Sequence, residues 1–129
     1  MSTMCRILAL LLLLPLTVFS QTSVASGKFA LAADGDQASH EIAKLAGIAP
    51  FFHLYDERGI LLQVLPNPHL DMEYGIGPAC ATTLADMGVT VLVARKIPGP
   101  KMDEVLKARN VRLVRRVGTV QDVVMELRE

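Results

Sequence analysis

The 129-residue chain is poor in cysteine, in net charge and in familiar catalytic spacings. Only Cys5 and Cys80 occur, which excludes a disulfide-rich scaffold. Beyond residue 26 there is no Cys-x-x-Cys or His-x-x-x-His pair, so a dedicated all-protein zinc or iron–sulfur cage is not expected. Lys+Arg and Asp+Glu balance at 13 each, without the basic excess that marks a nucleic-acid binder. A Gly-x-Ser-x-Gly nucleophile motif is missing as well. What the chain does have is apolar residues, 51% of the total, too many for intrinsic disorder. Its length suits one domain, and no repeat, linker or low-complexity tract interrupts it after residue 27.

The long apolar run is confined to the N-terminus. Arg6 precedes Ile7–Phe19, and small or polar residues follow from Ser20 to Ser26. As a helix that run would rise about 20 Å, short of the roughly 30 Å hydrocarbon core. The layout is that of a secretory signal peptide over 1–26, with Ser23-Val-Ala25 and Val24-Ala-Ser26 as cleavage sites. It predicts a periplasmic or secreted protein; the alternative is an uncleaved segment that anchors the chain to a membrane. Once it is removed, Cys80 is the only thiol left, either inert and buried or open to chemistry.

Over 27–129 the patterning predicts β-β-β-α-β-α-β-α. Lys28–Ala33 reads as a strand ended by the turn cluster Asp34-Gly35-Asp36. Phe51–Asp56 and Ile60–Leu65 form a hairpin around Gly59, stopped by Pro66-Asn67-Pro68. A helix is expected from Pro78 to about Met87, opened by Gly77-Pro78 and closed by Gly88. Val89–Ala94, nearly all apolar and β-branched, reads as a strand buried on both faces. A helix from Gly99-Pro100 to about Arg109, a strand Val111–Val114 and a helix Val120–Leu127 capped by Thr119 complete the order. With right-handed crossovers the later strands run parallel to the first. The segments 34–40, 66–77, 95–99 and 117–119, and all three helix starts, then share one edge of the sheet, where open α/β sheets bind ligands.

Gly47-Ile-Ala-Pro-Phe-Phe-His-Leu-Tyr-Asp56, Asn67-Pro-His69, Gly75-Ile-Gly-Pro-Ala-Cys-Ala81, Gly88-Val89, Gly99-Pro-Lys101 and Gly118-Thr-Val120 occur in that order. In this pattern the domain resembles the dinitrogenase iron–molybdenum cofactor biosynthesis family, of the NifX and NifB C-terminal type. The resemblance implies a ribonuclease-H-like three-layer α/β fold with a mixed five-stranded sheet. It also implies non-enzymatic binding or carriage of an iron–sulfur or molybdenum–iron–sulfur cluster. Members that work in nitrogenase assembly commonly carry His-Phe-Gly where this chain has Leu45-Ala46-Gly47. A signal peptide also sets it apart from that cytoplasmic role.

The candidate metal ligands are His40, His69 and Cys80. Each has a plainer reading: an exposed histidine on a short helix Ser39–Ala46, a solvated loop histidine, and a small buried residue. The thiol is expected at the third helical position, where the dipole favours thiolate. His53 alternates with Phe51 and Tyr55 and reads as structural. An anion site is the other expectation. Gly75, Gly77 and Gly99-Pro100 bring two helix starts to the edge, with Lys96, Lys101 and Arg95 beside them. Thiometalates and sulfide-bridged clusters are anions. The strands lack the carboxylate set of a metal-dependent nuclease, so no enzymatic activity is expected. The alternative function is a protein-interaction module that kept the fold and docks a partner protein.

Overall fold

A computed structural model describes residues 27–128; the stretch read as a signal peptide, with Cys5, lies outside the described residues. Five strands form one sheet: β1 (Lys28–Ala33), β2 (Phe51–Tyr55), β3 (Leu61–Pro66), β4 (Val89–Ala94) and β5 (Arg112–Arg115). Their order is β3-β2-β1-β4-β5, with antiparallel pairing of β1 to β2 and β2 to β3, and parallel pairing of β1 to β4 and β4 to β5. Three helices cover it: α1 (Ile76–Asp86), α2 (Pro100–Ala108) and α3 (Val120–Arg128). This is the mixed five-stranded α/β architecture expected from the order of elements. Among the described residues no helix is long and apolar enough to cross a membrane.

Alternation along the central strands builds two cores. Ala30 and Ala32 of β1, Phe52 and Leu54 of β2, and Leu92 and Ala94 of β4 face α1 and α2, meeting Cys80, Leu84, Met102 and Leu106. Leu31, Ala33, Val91 and Val93 face the other way, onto Val120, Val123 and Val124 of α3. The alanines of β1 let two helices press close to the sheet on the first side. His53 is buried, and its Nε2 lies 2.9 Å from the Gly35 carbonyl, the structural role its alternation suggested.

Two local expectations are corrected. No helix forms over Ser39–Ala46. Instead the segment lies across the C-terminal ends of the central strands β1 and β4 and bonds to the chain leaving each of them. Asp34 N donates to Glu41 O, Ala43 N to Ala32 O, Arg95 N to Ala43 O and Lys96 N to Lys44 O. Only Ala46–Ile48 turns, as a short 3-10 helix. Helix α1 starts two residues earlier than the proline implied, because Gly75 at φ 75° serves as its N-cap. Cys80 is therefore its fifth residue, past the first turn, where the helix dipole is strongest.

Candidate functional site

The chain direction of β1, β3, β4 and β5 brings the four expected loops and all three helix starts to one edge. Hydrogen bonding then separates those helix starts. At α3 the orphan donors are consumed internally: Val120 N donates to His40 O, Gln121 N to Ala38 O, and Asp122 N to Thr119 Oγ1. The crevice between β1 and β4, where the sheet topology reverses, is likewise filled by 41–44. The other two helices begin without side-chain caps. Gly75 caps α1 and Gly99 caps α2 with backbone alone. Proline contributes no N–H at the third position of α1 or the first of α2. The amides of Ile76, Gly77, Lys101 and Met102 have no partner among the described residues.

These two uncapped starts converge. Between them and the 46–48 turn lies a cavity of about 390 Å³, lined by Gly47, Ile48, Gly77, Pro78, Gly99, Lys101 and their neighbours. Glycine makes the convergence feasible: a Cβ on Gly47 would sit 3.0 Å from the Gly77 Cα, and one on Gly77 would sit 3.1 Å from Met102 Cβ. The walls are mostly apolar, so the polar features are the helix N–H groups and Lys101. Lys96 stands exposed on the adjoining loop, held by its backbone bond to Lys44. Arg95, at the end of β4, carries a buried Nε that has no hydrogen-bond partner. A desolvated guanidinium nitrogen left unpaired is costly, but Arg95 does not line the cavity.

The three candidate metal ligands are each engaged elsewhere. His40 is exposed, accepts the Gln37 N–H on Nδ1 at 3.0 Å, and packs its ring over Gly35. His69 Nε2 lies 2.8 Å from Thr83 Oγ1. Cys80 is buried, and its thiol hydrogen is shared between Asn67 Oδ1 at 3.3 Å and Gly47 O at 3.4 Å. Burial pushes its pKa above the usual thiol range, with the Asn67 bond pulling back more weakly. For any of the three to hold a metal, it would have to leave the bond just described. Among the described residues no three His, Cys, Asp or Glu side chains converge on a common point. The residues at the edge thus fit an anion gripped by N–H groups and cationic side chains better than a bare cation.

One residue that carries the site escaped the sequence reading. Asn67 is buried with all four of its side-chain hydrogen-bonding positions filled. Its Nδ2 donates to Ala49 O at 2.9 Å and Gly47 O at 3.3 Å. Its Oδ1 accepts the His69 N–H at 2.9 Å and the Cys80 thiol. The Asn67-Pro-His69 segment stood out in the sequence only through the family resemblance; nothing in its spacing announces a hub.

Comparison with known proteins agrees with this architecture. The orange protein from Desulfovibrio gigas, in its apo form, superposes with a TM-score of 0.71 at 23% identity, covering 78% of this chain and 85% of that one. A putative NifB protein from Thermotoga, assigned to the DUF35 family, gives 0.64 at 31% identity, covering 79% and 90%. No curated protein matches the chain in sequence. A family profile described as dinitrogenase iron-molybdenum cofactor matches residues 27–129, which is every strand and helix described above. The chain belongs to the dinitrogenase iron-molybdenum cofactor family.

Proposed function

We propose that this domain is a non-enzymatic binder or carrier of an anionic metal–sulfur species, an iron–sulfur or molybdenum–iron–sulfur cluster or a thiometalate. The observation that carries the reading is the meeting of two uncapped helix N-termini on one cavity, with Lys101 in its wall. Anions are favoured there by the partial positive charge and free N–H groups of each helix. Family membership supplies the kind of anion. In this reading Gly75 and Gly77 open the approach to the α1 amides, and Lys101 and Lys96 supply the countercharge. Protein ligation by His40, His69 or Cys80 is a separable part of the proposal, because the anion site does not need it. Export, from the reading of 1–26 as a signal peptide, would place the activity in the periplasm or outside the cell.

The test is an anaerobic titration of the purified protein with iron and sulfide, and separately with tetrathiomolybdate. Charge-transfer absorbance and metal content after desalting are the readouts. Stoichiometric retention that falls in a Lys96→Gln, Lys101→Gln double variant supports the anion site. Retention that instead requires His40 and Cys80 would shift the reading to direct ligation. If neither species is retained, the competing reading gains: a module that docks a partner protein. That reading has an observation of its own, since Ile48 in the cavity wall stands more than half exposed, as does Ile97 next to the cavity-lining Pro98.

A further inference from the structure

From the geometry behind the cavity wall we infer that Asn67 is a positioning residue, which keeps the Gly47 carbonyl turned out of the anion pocket. The inference rests on the proposed anion reading and names what keeps that pocket electropositive. Gly47 lines the cavity; Asn67 and Cys80, the two donors to its carbonyl oxygen, do not. The oxygen therefore points into the protein, away from the cavity that Gly77, Lys101 and Met102 line. A full flip of the Gly47–Ile48 peptide would drive the β-branched Ile48 to positive φ, but a partial turn about ψ of Gly47, which has no Cβ to oppose it, is open. Turned that way, the carbonyl would bring the negative end of its dipole closer to the bound anion.

The orientation of the Asn67 side chain is fixed by chemistry. A backbone N–H, that of His69, can only donate, so the side-chain atom 2.9 Å from it is the oxygen. The amide nitrogen then faces two atoms that can only accept, Ala49 O and Gly47 O. Aspartate, the same size, would turn both of those donors into acceptors. The Asn67 backbone N–H also donates to Pro50 O at 2.9 Å, which ties the exit of β3 to the chain that enters β2. The residue thereby joins the loop after β3, the 46–48 turn and α1 at one buried point.

The experiment compares Asn67→Ala, Asn67→Asp, Cys80→Ser and Cys80→Ala in the full chain. Three readouts apply to each: the melting temperature, the Kd for tetrathiomolybdate, and the amide resonances of Gly47 and Ile48. Removing the Asn67 donors is expected to weaken binding about three- to tenfold, the range of one net hydrogen bond. Both Asn67 variants should shift the Gly47 and Ile48 amides, with Asn67→Asp the weaker binder at neutral pH. Cys80→Ser keeps a donor and should match the wild type; Cys80→Ala should move the same two amides by less. A purely structural Asn67 would lower the melting temperature and leave the Kd of the folded protein unchanged, and that result overturns the inference. Should the Asn67 variants fail to fold, wild-type Gly47 and Ile48 amides in Cys80→Ala overturn it instead. Should the wild type not retain tetrathiomolybdate, the binding proposal fails. The amide shifts still decide whether Asn67 sets the Gly47 peptide.

Discussion

Position 99 allows stability and binding to be driven in opposite directions. Gly99 caps α2 at φ −64° and ψ 165°, an extended conformation that any residue adopts, and no atom lies within 4 Å of where a Cβ would go. An aspartate there could accept the Met102 N–H, as N-cap side chains do at the third helical position. Against glycine the cap contributes a few tenths of a kcal/mol. The carboxylate beside the helix N-terminus adds roughly 0.3–1 kcal/mol. Gly99→Asp should therefore stabilise the fold by about 1 kcal/mol, raising the melting temperature by about 4–8 °C in a domain of this size. The same carboxylate would take up an amide offered to the anion and place a like charge beside it. Two charges 5 Å apart at an effective dielectric near 20 repel by about 3 kcal/mol, so affinity should fall more than tenfold. Thermal denaturation followed by circular dichroism reads the first effect, and a tetrathiomolybdate titration the second. A variant that melts higher yet binds as well as the wild type would falsify the helix-start site.

Other predictions follow from the charges and the thiol. Lys101→Gln, in the cavity wall, should weaken thiometalate binding and reduce its salt dependence, whereas Lys107→Gln, paired with Asp103 on the far part of α2, should change neither. Cys80 should react slowly with Ellman's reagent at neutral pH and rapidly once the chain is unfolded. Because its folded pKa is raised, the unfolded thiol ionises first, so stability should decline as pH climbs past the ordinary thiol value; denaturant midpoints in Cys80→Ala should decline less. Asp56 is the mirror case. The Ile60 and Arg58 N–H groups and the Arg58 guanidinium hold its pKa down, so its contribution is present above the ordinary carboxylate pKa and lost as pH falls through the lower folded value. Asp56→Asn should melt lower than the wild type at pH 7, with the gap closing in strong acid.

The strands and helices were legible because each carries its own period or punctuation. Val89–Ala94 declares a buried strand by composition, and Gly99-Pro100 announces a helix start through residues that can do little else. The errors fell where the partner lies far away in sequence. Ser39–Ala46 has the small apolar residues of a helix, yet its amides and carbonyls are needed by β1, β4 and α3, and those demands outweigh propensity. The expectation of a thiolate-favouring position at Cys80 presumed a helix starting at Pro78. With Gly75 as cap the thiol moves two residues inward along the helix, and it sits in the apolar core. The convergence of the two Gly-Pro starts could be anticipated from topology. What could not was the plugging of the β1–β4 crevice, which displaces the open cavity toward α1 and α2. Nor was Asn67 legible: its partners Gly47, Ala49 and Cys80 lie 13 to 20 residues away, and only folding reveals that they share one point.

The direction of β1 also settles how the domain can be tethered. The chain enters that strand at Lys28 and leaves it at Ala33, and the cavity lies beyond the leaving end. Six residues of strand span about 20 Å. Anything joined ahead of Gly27, whether a retained leader, an affinity tag or a surface linker, therefore holds the domain by its back. Immobilised through that end, the protein presents the mouth of the cavity outward to whatever flows past.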